Sequence, residues 1–273
     1  MINNKKILAV VTARAGSKGI PGKNFRPLLG KPLFMWSMQA ALDSKYVDTI
    51  VLSSNCEECE KIHINWVEEL EVEQQNRIIF WQRPEAYSTD TSKNEDALIH
   101  ALISTDQCYG LKHDVVINLQ PTSPCRLNGL LDKCIEKYEE GNYDSLLTGS
   151  EITPFLWQKK DGKWEYMMDN VWRWKSVPTP WLDNKIQDRW VLDSNSDCCK
   201  RKMRQEFGDE ILLHDNGSIY LTDSKILLDK ECRIGYNPYV FKTEGINNIQ
   251  IDKEDDFLLI EKMIETKGLE SLI

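Results

Sequence analysis

The chain has 273 residues, of which 41% are hydrophobic and 28% charged, a composition typical of a globular protein that builds its own core. Its formal net charge of −9 argues against a general nucleic-acid-binding role. No stretch reaches the roughly 18 to 20 apolar residues of a membrane-spanning helix, so we expect no membrane segment. The eight cysteines are scattered and no long apolar leader precedes them, which predicts reduced thiols in a cytoplasmic protein.

Strand and helix patterns alternate along the first 150 residues of the chain. Buried-strand patterns lie at 5–13, 47–54, 77–82, 114–120 and 144–150. Helix patterns lie between them, at 32–42, 56–70, 92–104 and 127–140. This order predicts an α/β protein with a mainly parallel, doubly wound sheet, and such sheets bind ligands at the carboxyl ends of their strands.

The alternation stops between about 155 and 205 and returns beyond that segment. Six of the nine tryptophans lie in this segment, namely Trp157, Trp164, Trp172, Trp174, Trp181 and Trp190. We expect an inserted arm in a single domain over 1–273, and its clustered aromatic residues favour a subunit interface. The alternative is an arm that packs on its own body. Three strands, at 217–223, 239–243 and 247–252, and a final helix at 254–268 complete the pattern.

A basic, glycine-containing segment directly follows the first strand. Residues 12–24 read TARAGSKGIPGKN, and residues 1–42 carry seven Lys or Arg and no Asp or Glu. Small residues let backbone N–H groups approach an anion, and Arg14, Lys18 and Lys23 would neutralise a triphosphate. The segment is not a Walker A loop, because no Gly-Lys-Ser/Thr opens a helix. The alternative is a basic surface loop.

Polar side chains also follow the third and fourth strands. After the fourth strand, LQPTSPCR (119–126) has two prolines that fix the chain. They present Gln120, Thr122, Ser123 and Arg126, and the Arg126 guanidinium suits a carboxylate or phosphate. Arg83 and the polar run 88–94 follow the third strand. Each segment could instead be a turn that leads into a helix cap.

A carboxylate ends the strand predicted at 247–252. Asp252, in the sequence QIDKEDDF, is a natural ligand for Mg²⁺ that bridges phosphate oxygens. Asp255 and Asp256 are better explained by the N-terminus of the last helix, which favours negative charge.

Five segments occur in the order found in one known family. ARAGSKGIPGKN, LQPTSPCR, Arg204-Gln205, NGSIY at 216–220 and QID at 250–252 together resemble the acylneuraminate cytidylyltransferases. These CMP-sialic acid synthetases have relatives that act on legionaminic and pseudaminic acids. The resemblance implies a Rossmann-like fold of the nucleotide-diphospho-sugar transferase type and a cytoplasmic homodimer joined by the inserted arm. It also implies use of CTP with Mg²⁺ in cell-surface polysaccharide biosynthesis.

The resemblance also implies roles for individual residues. Those expected to bind the nucleotide are Ala13, Arg14, Ser17, Lys18, Lys23, Asn24, Arg83, Ser92 and Asn94. Those expected to bind the sugar acid are Gln120, Thr122, Ser123, Arg126, Arg204 and Gln205. Asp252 corresponds to the second acid of the family's Asp-x-Asp metal motif, whereas Gln250 stands where the first acid is expected. The long, tryptophan-rich arm is a second departure from the family.

The predicted reaction is an in-line attack by the anomeric hydroxyl of a nine-carbon 2-keto sugar acid on the α-phosphorus of CTP. Arg14, Lys18 and Lys23 would stabilise the charge on the phosphates. One alternative is a nucleotidyltransferase for another nucleotide or sugar. A second is a catalytically impaired nucleotide-sugar-binding or regulatory homologue, since Gln250 replaces a metal ligand. A third is a structural partner protein built around the arm.

Overall fold

The computed structural model describes residues 4–16, 19–89, 91–127, 129–152, 157–160, 162–166, 172–178, 186–192 and 212–267. The chain divides into two compact units, one of residues 1–150 with 213–273 and the other of residues 151–212. No helix in these ranges combines the length and the apolar character needed to cross a membrane.

The first unit is built on a seven-stranded sheet. Its strands are β1 (Ile7–Thr12), β4 (Thr49–Ser54), β5 (Ile78–Gln82), β6 (Val115–Leu119), β7 (Ser145–Glu151), β12 (Leu213–Asp223) and β13 (Pro238–Thr243). Their order across the sheet is β13-β7-β12-β6-β1-β4-β5. A short separate ladder pairs β2 (Pro27–Leu28) with β3 (Lys31–Pro32).

Seven helices accompany this sheet in the described chain. They are α1 (Leu33–Leu42), α2 (Glu57–Glu68), α3 (Val72–Gln75), α4 (Asn94–Tyr109), α5 (Leu130–Glu140), α6 (Ser224–Lys230) and α7 (Glu254–Lys267). Phe34 of α1 and Tyr138 of α5 pack with one face of the sheet, in a cluster that contains Ile117. Leu98 of α4 and Leu227 of α6 pack on the other face. The sheet is therefore covered by helices on both sides.

Parallel pairing dominates the sheet. β1 pairs in parallel with both β4 and β6, and β4 pairs in parallel with β5, whereas β12 runs antiparallel to β6. The carboxyl ends of β1, β4, β5 and β6 therefore meet at one edge. The mixed, mainly parallel α/β fold predicted from the sequence is confirmed, and this edge is where such folds bind ligands.

The predicted strand at 247–252 is wrong. A short 3₁₀ helix, Gly245–Asn248, includes its first two residues, and the chain then continues without regular structure to α7. Ile246 and Ile251 are buried against Phe257 of α7 rather than aligned along a sheet. The alternating apolar residues thus pack in a cluster that α7 covers. A hydrophobic period of two does not distinguish such a segment from a strand.

The second unit contains two antiparallel hairpins in its described residues. β8 (Trp157–Lys160) pairs with β9 (Lys163–Tyr166), and β10 (Trp172–Pro178) pairs with β11 (Ile186–Leu192). The sequence showed no clear period here. Trp181 lies outside the described residues, and the arm's role as a dimer interface stays a prediction.

Candidate active site

A cavity of about 210 Å³ lies at the carboxyl edge of the sheet. Its lining comprises Thr12, Arg14, Gly19, Lys23, Asn24, Arg83, Asn94, Gln120, Pro121 and Thr122. A second cavity of about 200 Å³ shares Arg14, Arg83 and Asn94 and adds Ser92 to the lining. Residues singled out in three separate sequence motifs therefore meet in one place.

The segment after β1 is held in shape by hydrogen bonds to its neighbours. The Ala13 N–H donates to the Ser53 carbonyl at 3.0 Å, and the Ala15 N–H donates to Asn55 Oδ1 at 2.9 Å. Asn24, which is 7% exposed, donates from Nδ2 to the Arg14 carbonyl at 2.8 Å. Asn24 thus closes the loop that begins at Arg14. Ser17 and Lys18 lie outside the described residues.

Gly22 is required by the turn that precedes Lys23. Its φ of +65° is in the left-handed region, and a Cβ at this position would lie 2.5 Å from the Phe25 ring. A side chain here would therefore force Phe25 to move and strain the backbone. The turn starts the short 3₁₀ helix Lys23–Phe25 and places Lys23 at the cavity.

Three cationic side chains line the cavity. Arg14 donates from Nη1 to the Thr89 carbonyl at 2.7 Å, and Lys23 donates from Nζ to the Ile251 carbonyl at 2.8 Å. Arg83 is 5% exposed and donates to Ser53 through Nε and Nη2, at 3.0 and 2.7 Å. Burial and, next, the nearby Arg14 lower the pKa of Arg83 to about 10. A buried cation beside a second cation favours an anionic ligand.

Arg126 lies in the interior, behind the residues that line the cavity. Its guanidinium donates to the Gln120 carbonyl at 2.8 Å, to the Ser218 carbonyl at 2.7 Å and to Ser37 Oγ at 2.9 Å. Burial lowers its pKa to about 9. Arg126, which the sequence analysis assigned to the substrate, thus connects β12 and α1 to the backbone of Gln120.

The other predicted residues of this segment differ in burial. Ser123 is buried, as Arg126 is, whereas Gln120 and Thr122 are half-buried. Ser123 is 1% exposed, and its hydroxyl donates to the Asn216 carbonyl at 3.4 Å, whereas Gln120 and Thr122 line the cavity. The structure gives Ser123 and Arg126 a positioning role because their polar atoms are occupied by the backbone. Arg204 and Gln205 lie outside the described residues.

Gln250 packs against the start of β12. Its Nε2 donates to the Asn216 carbonyl, and Gly217, with φ of +65°, leaves room for this amide. A Cβ on Gly217 would lie 2.0 Å from Gln250 Nε2 and 3.1 Å from Gln120 Oε1. The amide therefore joins QID to NGSIY, two segments that the sequence analysis had considered separately.

Asp252 is the carboxylate that adjoins the cavity at Lys23. Its side chain is 66% exposed, and Oδ1 lies 3.2 Å from Lys23 Nζ. Asp256 instead accepts the Asp252 and Lys253 N–H groups, both at 2.7 Å, so the prediction that it favours the N-terminus of α7 is confirmed. No cluster of three or more His, Cys, Asp or Glu side chains suited to a metal occurs in the described ranges. A single carboxylate fits Mg²⁺ when phosphate oxygens and water supply the other ligands.

A family profile described as "Cytidylyltransferase" matches residues 8–154, more than half of the chain. The chain belongs to this cytidylyltransferase family. The match contains the basic loop, LQPTSPCR and all of β1 except Ile7, and it therefore includes the segments that form the cavity.

Curated relatives confirm the resemblance to acylneuraminate cytidylyltransferases. The chain is 28% identical to CMP-N,N'-diacetyllegionaminic acid synthase of Legionella pneumophila, over 95% of this chain and 97% of that protein. It is 25% identical to Post-translational flagellin modification protein B of Campylobacter coli, over 97% and 98%. It is also 25% identical to N-acylneuraminate cytidylyltransferase A of Danio rerio, over 96% of this chain but only 51% of that protein. The chain therefore spans about half of the zebrafish relative.

Solved structures share the fold. A CMP:2-keto-3-deoxy-manno-octonic acid synthetase complexed with CTP superposes with a TM-score of 0.61 at 13% identity, over 96% of this chain and 99% of that one. A 4-diphosphocytidyl-2C-methyl-D-erythritol synthase from Anaerococcus prevotii superposes with a TM-score of 0.59 at 14% identity, over 97% and 98%. At these identities the likeness establishes the architecture alone.

Replacing Arg126 by Met tests its positioning role. We expect Arg126→Met to lower the free energy of unfolding by about 2–4 kcal/mol, because each buried acceptor left unpaired costs about 1–3 kcal/mol. The comparison variant is Arg26→Met, which removes an exposed ion pair with Glu254, worth about 0–1 kcal/mol, and a cation–π contact with Phe257, worth about 0.5–1 kcal/mol. Urea denaturation measures both, and equal losses would contradict the assignment.

Proposed function

We propose that the protein transfers CMP from CTP to a nine-carbon 2-keto sugar acid of the sialic acid type and releases pyrophosphate. The observation that carries this proposal is the convergence of Arg14, Lys23 and Arg83 with Gln120 in one cavity of a cytidylyltransferase chain. The names of the Legionella and zebrafish relatives support the class of acceptor.

The triphosphate would bind along the loop that follows β1. Arg14 and Lys23 line the cavity and carry positive charge, while Asn24 fixes the loop between them. Donors held in place before the reaction stabilise developing charge without reorganisation, which is the main source of catalysis in such transfers. Lys18, from the same loop, is assigned to the phosphates by the family resemblance.

The base and ribose would occupy the part of the site that Arg83 and Asn94 share between the two cavities. Ser92 lines only the second cavity, where its hydroxyl donates to the Ala86 carbonyl at 3.1 Å. Arg83 is fixed to β4 through Ser53, so its position does not depend on the ligand. Arg83, Ser92 and Asn94 line these cavities, and that location supports their assignment to nucleotide binding.

In the proposed step, the anomeric hydroxyl oxygen forms a bond to the α-phosphorus of CTP. The bond from that phosphorus to the bridging oxygen breaks, pyrophosphate leaves with the electron pair, and the hydroxyl proton passes to solvent. Gln120 would orient the acceptor, as would Arg204 and Gln205. The protein contributes position and charge, with no covalent intermediate.

When bound, Mg²⁺ would offset negative charge on the phosphates. Asp252 is the side chain that would hold it, and Lys23 stands beside that carboxylate. Gln250 Nε2 donates a hydrogen bond to the Asn216 carbonyl, so Oε1 is the atom of this side chain that could bind a metal. We also assign the enzyme to the cytoplasm, as a homodimer joined by the 155–205 arm, in cell-surface polysaccharide biosynthesis.

Nucleotide specificity is the direct test. Pyrophosphate release is measured with CTP, UTP, ATP and GTP, each with N-acetylneuraminic, legionaminic and pseudaminic acids and Mg²⁺. We expect release with CTP and at least one of these acids. Release with ATP or GTP but not CTP would overturn the assignment. Calorimetric binding of CTP without any release would favour a nucleotide-sugar-binding homologue, which the loss of the acid at Gln250 makes the second candidate.

Lys23→Ala tests the phosphate site. We expect a fall in kcat of about 10²–10³-fold, the loss typical when one preorganised donor to a reacting oxyanion is removed. The control is Lys31→Ala, because Lys31 also belongs to the cation-rich residues 1–42. Its ammonium lies over the Trp36 ring, 4.8 Å from the ring centroid. Near-normal turnover by Lys23→Ala, or an equal loss in Lys31→Ala, would remove Lys23 from the site.

Gln250→Asp tests the departure at the metal motif. We expect a lower Mg²⁺ concentration for half-maximal rate, because a second carboxylate strengthens a site for a hard cation. Gln250→Asn is the matched control, since it has the same shape as Asp and lacks the charge. If the two variants give the same Mg²⁺ dependence, Asp252 alone determines metal affinity.

A further inference from the structure

Asp215, at the start of β12, is an exposed carboxylate that is nevertheless held in a fixed position. Its Oδ1 accepts the Tyr220 hydroxyl at 2.8 Å and the Gly217 N–H at 2.9 Å, and its Oδ2 lies 2.9 Å from the same hydroxyl. An exposed aspartate without such contacts would sample several rotamers. These contacts leave lone pairs of the carboxylate available to a ligand.

The largely buried side chains of Tyr220 and Arg233 support the position of this carboxylate. Tyr220 is 3% exposed, and the Arg233 guanidinium lies 4.3 Å from the centre of its ring. Arg233 Nη1 in turn lies 3.5 Å from Glu95 Oε1, with both side chains largely buried. Burial and, next, the hydrogen bond to Asp215 raise the pKa of Tyr220, so its hydroxyl remains a donor. The position of Asp215 is therefore fixed by a tyrosine hydroxyl that keeps its proton.

Two connections join Asp215 to the cavity. Gly217, whose N–H binds the carboxylate, lies against the Gln120 side chain, since its Cβ position is 3.1 Å from Gln120 Oε1. Glu95, at the far end of the supporting contacts, directly follows Asn94 in α4, and Gln120 and Asn94 both line the cavity. Asp215 is thus linked through Gly217 to Gln120, a residue that lines the cavity.

Asp215 carries a charge opposite to that of the cations at the cavity. Arg14, Lys23 and Arg83 are positive and serve the nucleotide in the proposed function, whereas Asp215 is negative. A sugar acid carries a carboxylate at one end and hydroxyl and amide donors along the other. Asp215 repels that carboxylate, while the donors match the lone pairs that Tyr220 and Gly217 leave unoccupied.

On the basis of the proposed function, we propose that Asp215 is a specificity-determining residue for the acceptor. It accepts hydrogen bonds from hydroxyl or amide N–H groups at the end of the sugar acid that is remote from the carboxylate. In a 2-keto sugar acid, the anomeric carbon bears the carboxylate. This orientation therefore directs the attacking hydroxyl toward the phosphates and gives one productive pose.

Asp215→Asn tests this role because it keeps the shape and removes the charge. We expect the acceptor KM to rise about 10- to 100-fold, as for the loss of a hydrogen bond to a charged group, while the KM for CTP stays unchanged. The preference for N-acetylneuraminic acid over its deaminated analogue, measured as the ratio of the two kcat/KM values, should also fall. A merely structural role would not change this preference. The control is Asp229→Asn, an exposed carboxylate on α6.

Tyr220→Phe provides a second, independent variant. It retains the Asp215 charge but removes the hydroxyl that fixes it, so we expect a smaller rise in acceptor KM and again no change for CTP. Unchanged acceptor KM and preference in the folded variants would overturn the inference and leave the proposed function intact. Absence of pyrophosphate release by the unmodified protein with every nucleotide and acid would overturn both.

Discussion

Parallel pairing of β1 with its two neighbours determines where the chemistry of this protein can occur. Because β4 and β6 flank β1 in the same direction, the segments that follow these strands leave the sheet at one edge. Arg14 and Gln120 are 106 residues apart in the sequence, yet both line one cavity for this reason. The cation-rich loop, the cavity and the proposed transfer all depend on this alignment.

Buried polar side chains keep that edge in a defined shape. Asn24 closes the basic loop, Arg126 connects Gln120 to Ser218, and Asn216 joins β12 to Thr148 and Thr243. Fully satisfied polar networks of this kind favour one arrangement over its competitors. The site is therefore built before any ligand binds, which is the condition for electrostatic catalysis of phosphoryl transfer.

Opposite charges at the two ends of the site connect the proposed function with the role of Asp215. The nucleotide end needs cations, and Lys23 already stands beside Asp252, where a magnesium ion would join the phosphates. In the proposed arrangement, Asp215 is a fixed carboxylate at the acceptor end instead. It would repel the carboxylate of the sugar acid and bind its remote donors, so recognition of the acceptor and alignment for attack would follow from the same charge.

The sequence by itself determined the α/β alternation, the mainly parallel sheet, the basic loop and the position of LQPTSPCR at the carboxyl edge of that sheet, because hydrophobic period and glycine, proline and cation spacing are local properties. It did not determine that Ser123 and Arg126 are buried, that 247–252 is not a strand, or that Tyr220 and Gly217 fix Asp215. The first two of these outcomes depend on contacts between distant segments, such as Arg126 with Ser218, 92 residues away. Only the packed tertiary structure decides which polar atoms the protein uses for itself and which remain for a ligand.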